Sequence, residues 1–197
     1  MKLPTVRLTS EISVEQAILN RRSIREYQDE ALSLQEIGQI LWAAGGKTAD
    51  WGGRTVPSAG ATYPLEIYLV AGKVKGLESG FYHYLWQTHE LQKLSAQDKR
   101  EELTKAAWQQ NYIEKAPASI IIAVKYERTI QRYGNRGRRY ADNEVGHCGQ
   151  NIHLQAEALG LGTVVIGAFQ DSLVKSILGI KEEPAYIMPV GKKIRSK

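Results

Sequence analysis

One stretch of the sequence, residues 119–124, limits the folds open to this chain more than any other. Its residues, Ser-Ile-Ile-Ile-Ala-Val, form a nearly continuous apolar run. A strand that is apolar on both faces is usually covered on both faces, as at the centre of a sheet between two other layers. The run therefore predicts a central, doubly covered strand in a layered domain.

Other parts of the chain supply the remaining elements of such a domain. Further strands are predicted at residues 65–70, 80–86, 163–168 and 186–190, with residues 91–94 pairing beside the second of them. Helices are predicted at residues 13–20, 34–44, 142–159 and 171–178, and another begins near Ser95. Capping boxes at Ser13 and Ser33, and glycines after several last turns, mark the helix ends. Strands and helices do not alternate regularly, so one α+β domain over residues 1–197 is expected.

The composition fits a domain that folds without covalent help. Of 197 residues, 43% are hydrophobic and 24% are charged. A chain of this length buries about 70% of its unfolded surface, so it needs neither a disulfide nor a metal to fold. The single cysteine, Cys148, excludes an intrachain disulfide and a cysteine zinc site. There is no signal-peptide pattern and no apolar run of about 20 residues, and we expect a cytoplasmic protein that does not enter the membrane.

An excess of positive charge suggests an anionic partner. The net charge is +5 and the isoelectric point is about 9.2. Basic residues cluster at residues 21–25, 128–139 and 192–197, and two of these clusters lie at turns near the chain ends. That distribution suits a compact anion such as a phosphate better than a nucleic acid. A solvated basic surface remains the alternative.

The first candidate site segment is Arg21-Arg22-Ser23-Ile24-Arg25, directly after a short predicted helix. Guanidinium groups match phosphate oxygens in pairs, and a serine hydroxyl adds a short hydrogen bond. The structural alternative is that these arginines compensate the negative C-terminal end of the preceding helix.

Two later segments offer backbone groups rather than charge. Residues 57–64, Pro-Ser-Ala-Gly-Ala-Thr-Tyr-Pro, form a path of small residues against which a flat ring fits, although an ordinary tight loop is the alternative. Residues 160–169 contain a buried strand ending in Gly167-Ala168, where uncovered backbone amides can donate to a heterocycle nitrogen. The glycines here do not follow the G-x-G-x-x-G pattern between a strand and a helix, so a Rossmann dinucleotide site is not expected.

Taken together and in this order, the three segments resemble the FMN-dependent nitroreductase family over residues 14–191. Residues 57–64, Gly-His-x-Gly-Gln-Asn at 146–151 and Leu-Gly-Leu-Gly-Thr at 159–163 are similar to one branch, the azoline dehydrogenase-like domains. These domains oxidise thiazoline or oxazoline rings in peptide-toxin maturation. The resemblance implies a nitroreductase-like α+β fold, a central and mostly antiparallel sheet flanked by helices, in an intertwined homodimer.

The resemblance also implies roles for particular residues. The family's contacts to the FMN phosphate and ribityl chain correspond to Arg21, Arg22, Ser23 and Arg25. Its loop from the partner subunit, packed against the flavin, corresponds to Pro57, Ser58 and Ala59. The residues beside the isoalloxazine ring, with one amide near N5, correspond to Ile166, Gly167 and Ala168, with Gln110 as a further candidate. Candidates for a C-terminal basic residue at the phosphate are Lys193 and Arg195. Ala61 stands where many relatives have an asparagine, so one flavin hydrogen bond of the family is not expected here.

By this resemblance the protein is an FMN oxidoreductase with ping-pong kinetics. NAD(P)H or an organic donor reduces the flavin, and a nitroaromatic, a quinone or oxygen reoxidises it, so no catalytic side chain is strictly required. Two alternatives stay open: an azoline-type dehydrogenase acting on a peptide, and a non-catalytic flavin-binding module. The expected partners are a second copy of the chain and a small-molecule substrate, with neither nucleic acid nor membrane.

Other residues have less defined roles. His147 and His153 lie six residues apart on one predicted helix, hence on different faces, and no metal site is expected. Cys148 is expected to be a small buried side chain. The basic stretch at residues 128–140 is either a lid over the flavin, with Tyr140 touching substrate, or a solvated loop. Azoline oxidases use a Lys-Tyr pair in proton removal. The candidate counterpart here is Arg139-Tyr140, in which the arginine is a poor base.

Overall fold

The computed structural model describes residues 1–194, and Arg195 lies outside them. Its helices are α1 (Val14–Asn20), α2 (Leu34–Gly45), α3 (Arg100–Ala106), α4 (Tyr112–Lys115), α5 (Glu127–Tyr133), α6 (Arg136–Ala158) and α7 (Asp171–Leu178). Its strands are β1 (Leu32–Ser33), β2 (Leu65–Ala71), β3 (Val74–Lys75), β4 (Gly80–Leu85), β5 (Glu90–Ser95), β6 (Ala118–Val124), β7 (Leu161–Thr163) and β8 (Glu183–Lys192).

A six-stranded sheet in the order β5-β4-β2-β6-β8-β7 forms the centre of the fold. Every neighbouring pair in it is antiparallel. Strand β6 lies inside the sheet and all of its residues are buried, which confirms the predicted doubly covered strand. The short strands β1 and β3 pair with each other separately, in parallel.

Helices cover both faces of this sheet, and alternate residues of β6 point to different halves of the core. Ile120 and Ile122 pack in the cluster that contains the buried residues of α2 and α6. Ile121 and Ala123 pack in the cluster that contains those of α3 and α7. This alternation is the period-2 geometry of a strand. The predicted α+β class, an antiparallel sheet flanked by helices, is confirmed, and the intertwined dimer stays a prediction.

Local sequence signals placed several helix ends correctly. Ser13 Oγ accepts a hydrogen bond of 3.1 Å from the Gln16 amide at the start of α1. Ser33 and Glu36 form a complete capping box at the start of α2. Gly179 adopts a left-handed φ of 65° and ends α7, a conformation that glycine reaches without steric cost.

The strand predicted at residues 163–168 is wrong in its extent. Strand β7 ends at Thr163, and the chain pairs with β8 again only where Ile166 meets Ile187. The register places Val164 opposite Pro189. Because proline has no N–H to donate, the ladder is interrupted at this pair.

The loop predicted at residues 128–140 is also wrong, because this stretch is helical. It forms most of α5 and the first turns of α6, which begins at Arg136 rather than at the predicted Asp142. Gly134, with a φ of 57°, turns the chain between the two helices. At Gly137 a Cβ atom would lie 2.7 Å from the carbonyl oxygen of Thr129, so only glycine lets the helices pack this closely.

Candidate functional site

The arginine segment at residues 21–25 is held against the end strand of the sheet. Ser23 forms a parallel bridge with Thr163, and the Ile24 amide donates to the Thr163 carbonyl at 2.9 Å. The Ile24 side chain occupies the space over Gly162, where a Cβ atom would come within 2.6 Å of it. The segment therefore has a fixed position beside β7, on the path that leads to residues 166–168.

The three arginines of this segment keep their charge available for an anion. Arg22 donates to the carbonyls of Leu19 and Arg21, at 3.0 and 2.8 Å, so it also compensates the end of α1 as the structural alternative proposed. The guanidinium of Arg25 lies 5.8 Å from the centre of the Tyr112 ring. Within residues 1–194, none of the three forms an ion pair with a carboxylate.

A buried histidine lies beside this segment. His153 lies on α6 and is 7% exposed. Its burial, together with the charge of Arg21, lowers the pKa of His153 to about 4. The imidazole is therefore neutral at physiological pH and adds no positive charge to that of the arginines.

A chain of side-chain contacts joins the arginine segment to residues 166–168. Tyr112, which lies near Arg25, donates its hydroxyl hydrogen to Gln110 Oε1. Gln110 Nε2 in turn donates to the carbonyl of Ala168 at 2.9 Å. Gln110 was predicted as a further flavin contact, and the structure places it at the Gly-Ala segment.

The backbone at the end of this segment has unused donors. Ile166 is buried and its amide pairs with the Ile187 carbonyl at 3.0 Å. Gly167 and Ala168 are exposed, and their amides donate to no acceptor within residues 1–194. Tyr186 lies beneath Gly167, 3.5 Å from the position that a Cβ atom would take. The two N–H groups at the end of this buried path are thus open to an external acceptor.

The predicted C-terminal contact is partly engaged elsewhere. Lys193 pairs through its backbone with Tyr27, close in sequence to the arginine segment. Its ammonium group, however, forms an ion pair of 2.5 Å with Glu157 on α6. Lys193 is therefore near the arginines, but its charge is already compensated.

The loop at residues 57–64 lies apart from the other two segments. The Tyr63 amide donates to Ser58 Oγ at 2.9 Å, and Arg132 of α5 donates to the Gly60 carbonyl at 3.1 Å. Ala61 and Tyr63 have φ values of 54° and 45°, which cost energy in non-glycine residues and often mark functional loops. Within residues 1–194 no hydrogen bond joins this loop to residues 21–25 or 166–168. One chain thus brings together two of the three predicted segments.

A buried carboxyl group that is not among the predicted site residues lies under this loop. Glu144 on α6 is 4% exposed. Burial raises its pKa to about 7, while a hydrogen bond with Ser58 and the charge of Arg54 act in the opposite direction. The signal was available in the sequence, because Glu144 lies four residues before Cys148 and therefore on the apolar face of the predicted helix.

Tyr140 and a second tyrosine on the same side of the molecule have different surroundings. Tyr140 packs edge to face with Tyr133, with ring centres 5.1 Å apart, and so lies at the junction of α5 and α6. A Lys-Tyr pair occurs not here but at Lys125-Tyr126, directly after β6, where the Lys125 amide donates to the Pro64 carbonyl at 2.8 Å. Tyr126 donates to Asp142 at 2.5 Å, and burial together with this carboxylate raises the pKa of its phenol. The Lys-Tyr dipeptide at residues 125–126 is itself the signal by which the sequence could have indicated this pair.

Two further features of the described residues concern metal ions and membranes. Among residues 1–194 there is no group of three or more His, Cys, Asp or Glu side chains arranged to hold a metal ion. None of the helices in that range is both long enough and apolar enough to cross a membrane.

Solved structures share this fold. The protein reut_a1228 of Ralstonia eutropha JMP134, assigned to the nitroreductases, superimposes with a TM-score of 0.87 at 24% identity, covering 100% of this chain and 90% of that one. The NADPH:FMN oxidoreductase of Vibrio harveyi, solved with NAD+, superimposes with a TM-score of 0.65 at 20% identity, covering 93% of this chain and 72% of the other. At these identities the likeness concerns the fold alone.

Sequence relatives give the family. MJ1384 of Methanocaldococcus jannaschii, assigned to the nitroreductases, is 48% identical over 194 residues, which is 98% of this chain and 96% of that protein. The trifolitoxin-processing protein TfxB of Rhizobium leguminosarum bv. trifolii is 32% identical over 130 residues, 64% of this chain and 35% of TfxB. The family model for the nitroreductase family matches residues 18–192. This chain therefore belongs to the nitroreductase family.

Proposed function

We propose that this protein is an FMN-dependent oxidoreductase, which passes electrons from NAD(P)H or an organic donor to an acceptor such as a nitroaromatic or a quinone. One observation carries the proposal: the arginine segment runs along β7 toward the unused amides of Gly167 and Ala168. A cationic end and a donor-rich end on one continuous path match the two ends of a flavin mononucleotide.

The residues present fit the chemistry of FMN. Its phosphate carries close to two negative charges, and Arg21, Arg22 and Arg25 offer guanidinium groups that no carboxylate within residues 1–194 compensates. Guanidinium groups are suited to paired contacts with phosphate oxygens. The Gly167 and Ala168 amides would hold the ring end, and we place Ile166 and Gln110 beside them as supporting residues.

When bound, FMN supplies reversible two-electron chemistry that no side chain of the protein can perform. The protein's own role is to bind the cofactor and to orient it. Arg21, Arg22, Ser23 and Arg25 fix the phosphate end. The backbone N–H groups of residues 167–168, held by the bond from Gln110 to Ala168, provide fixed dipoles that favour negative charge at the ring. Lys193 takes a lesser part in this proposal, because Glu157 compensates its charge.

The proposed active unit is a homodimer. The chain's own loop at residues 57–59 is not hydrogen-bonded to the arginine segment or to residues 166–168, which suits the role of Pro57, Ser58 and Ala59 as a contribution to the site of a second copy. A groove of about 1190 Å³ between the 7–14 segment, α2 and α6 offers a place for that copy. Leu8 and Val14 line this groove and are 79% and 65% exposed. Apolar side chains grouped this way often mark an interface.

An anaerobic reduction assay tests the proposal. Protein purified with added FMN should be yellow and should retain about one FMN per chain after gel filtration. Under anaerobic conditions NADH, NADPH or an organic donor should bleach the flavin absorbance, and a quinone or nitroaromatic should restore it. Protein that binds no FMN would refute the proposal, and bound FMN that no donor reduces would leave only a flavin-binding module. Sedimentation of the flavin-loaded protein as a monomer would refute the dimer.

A second candidate function is azoline-type dehydrogenation of a peptide. It is favoured by the similarity to TfxB, whose name assigns it to trifolitoxin processing, and by the Lys125-Tyr126 pair beside the 57–64 loop. In this case a thiazoline-containing peptide should reduce the flavin faster than either nicotinamide does. Lys125→Gln should slow reduction by the peptide while leaving reduction by NADH unchanged, and equal effects on both donors would refute this role. The cytoplasm is the proposed location in either case, since it keeps the one thiol, Cys148, reduced.

A further inference from the structure

A separate cleft lies between the 57–64 loop, β2, the end of β4 and α5. Its volume is about 320 Å³, at the small end of the range for ligand pockets. Six of the side chains that line it carry the inference: Arg54, Tyr63, Glu66, His83, Trp86 and Arg128. We refer to it as the Arg54 cleft.

The guanidinium of Arg54 is fixed by two aromatic rings. Its Cζ atom lies 4.3 Å from the centre of the Tyr63 ring and 3.7 Å from that of Trp86. Contacts of this kind position a guanidinium group but use none of its N–H donors. Tyr63 holds its place with a left-handed φ of 45°, so the loop backbone bears a cost to present this ring.

The hydrogen-bond donors of Arg54 have no partner within residues 1–194. Its Nε atom is buried and makes no hydrogen bond there. Burial is the main cause that lowers the pKa of Arg54, partly offset by the charge of Glu66, although an arginine remains charged at physiological pH. A partly desolvated cation without an acceptor is costly, and an anion entering the cleft would relieve that cost.

The other charges of the cleft are already matched to one another. Glu66 accepts from His83 at 2.9 Å and from Arg128 at 2.5 Å. Arg128 also donates to the Tyr63 carbonyl at 2.8 Å. On the buried side, Glu144 lies beside Ser58 and forms no ion pair with Arg54. The cleft therefore presents one uncompensated positive charge in an aromatic setting.

We propose that the Arg54 cleft binds the carboxylate group of a small organic acid, with Arg54 as the residue that pairs with it. A single uncompensated charge favours a monoanion over a phosphate dianion. The planar fork of the guanidinium matches the two oxygens of a carboxylate. The cleft volume and the rings of Tyr63 and Trp86 suit an aromatic acid. This inference is independent of FMN binding, and both can be tested separately on the same protein.

Calorimetric titration of the purified protein with benzoate and with benzamide, its uncharged isostere, tests the proposal. Benzoate should bind at least tenfold more tightly than benzamide, because a hydrogen-bonded charge pair contributes about tenfold to hundredfold in affinity. Arg54→Met should abolish this preference, and Arg54→Lys should weaken it about tenfold by removing the fork. Lys181→Gln, at an exposed position, removes the same charge and should leave benzoate affinity unchanged.

Three results would overturn the proposal. Equal affinity for benzoate and benzamide would show that no charge is recognised, and this comparison needs no variant. Benzoate affinity unaffected in Arg54→Met and Arg54→Lys would place the acid elsewhere, for example at the arginine segment. Tighter binding of inorganic phosphate than of benzoate, in competition, would exclude a carboxylate site. Protein that retains Arg54-dependent benzoate binding but takes up no FMN would refute the proposed function and leave this inference standing.

Discussion

The buried carboxyl of Glu144 should make the stability of the protein depend on pH. Glu144 lies under the 57–64 loop at 4% exposure, with a pKa raised by burial from its usual 4.5 to about 7. Folding therefore favours the protonated form. The native protein binds more protons at this site than the unfolded chain between about pH 4.5 and 7, so this site lowers stability as the pH rises through that window.

The rise in the pKa of Glu144 from 4.5 to about 7 corresponds to about 3 kcal/mol in the free energy of unfolding, at about 1.4 kcal/mol per pKa unit. This is an upper value for the site. Glu144→Gln replaces the acid with a neutral side chain of the same shape, so it should match the unmodified protein within about 1 kcal/mol near pH 4.5. Above pH 7 the Gln variant should be more stable by up to about 3 kcal/mol, because its side chain need not lose a proton to remain buried.

His153, which also lies on α6, has the opposite effect and would mask this slope in the unmodified protein. Its pKa is lowered from 6.5 to about 4, mainly by burial, so the unfolded chain binds more protons between those values and stability rises with pH there. The two slopes largely cancel between about pH 4.5 and 6.5. The informative quantity is therefore the difference between variant and unmodified protein at each pH, in which the His153 contribution drops out.

Urea unfolding at pH 4.5, 6, 7 and 8, at one protein concentration, measures this difference. Glu30→Gln is the matched control: it makes the same substitution at an exposed side chain, and the change that it produces at each pH is subtracted from that of Glu144→Gln. A Glu144→Gln effect that stays constant across the series would refute the reasoning, since it would mean that the Glu144 carboxyl titrates alike in both states.

Three further predictions concern the site and the core. Arg25→Gln should weaken FMN binding about tenfold to hundredfold while leaving riboflavin, which lacks the phosphate, unaffected in fluorescence titrations; equal losses for both ligands would contradict a phosphate contact. Gly162→Ala should destabilise the protein by about 1–3 kcal/mol in thermal unfolding, because the new Cβ atom would lie 2.6 Å from the Ile24 side chain. Gly149→Ala is the control: this glycine lies on helix α6, and its new Cβ atom would come no closer than 3.5 Å to a neighbour, so the change should be neutral or stabilising by up to about 1 kcal/mol. Cys148 is buried, donates to a carbonyl at 3.0 Å and has a pKa raised by burial, so its thiol should react with a disulfide reagent only after denaturant is added, and rapid reaction of the native protein would contradict its placement.

Elements whose cause is local were predictable from the sequence. The capping residues Ser13 and Ser33 act on amides within three positions of themselves, and Gly179 acts through its own φ. The central strand was predictable for a similar reason, because continuous apolarity reports burial on both faces wherever the strand lies in the chain. These features depend on neighbours in sequence or on composition, and both are visible before folding.

Elements that depend on distant partners were not predictable in the same way. The early end of β7 is caused by Pro189, a residue of another strand that the fold places opposite Val164. The helices in the basic stretch depend on the close approach of Gly137 to the backbone of α5, which no window of the sequence reveals. In both cases a contact that forms only in the folded chain determines the local structure, and the neighbouring residues in the sequence do not.

The candidate site likewise combines features that are local in the sequence with contacts between distant residues, and only the local features could be predicted. Each predicted segment carries its chemistry locally, as arginine charge, as bare glycine amide or as a small-residue loop. Their joining is not local: a parallel bridge holds residues 21–25 to β7, and Gln110 links a helix connection to Ala168. The 57–64 loop meets neither of them in one chain and instead covers Glu144 and flanks the Arg54 cleft. If the loop completes the flavin site of a second copy, Arg54, which stacks on Tyr63, and Glu144, which lies beside Ser58, both support the loop that contacts the ring. A substitution of either residue should then change the rate of flavin reduction without any contact to the flavin itself.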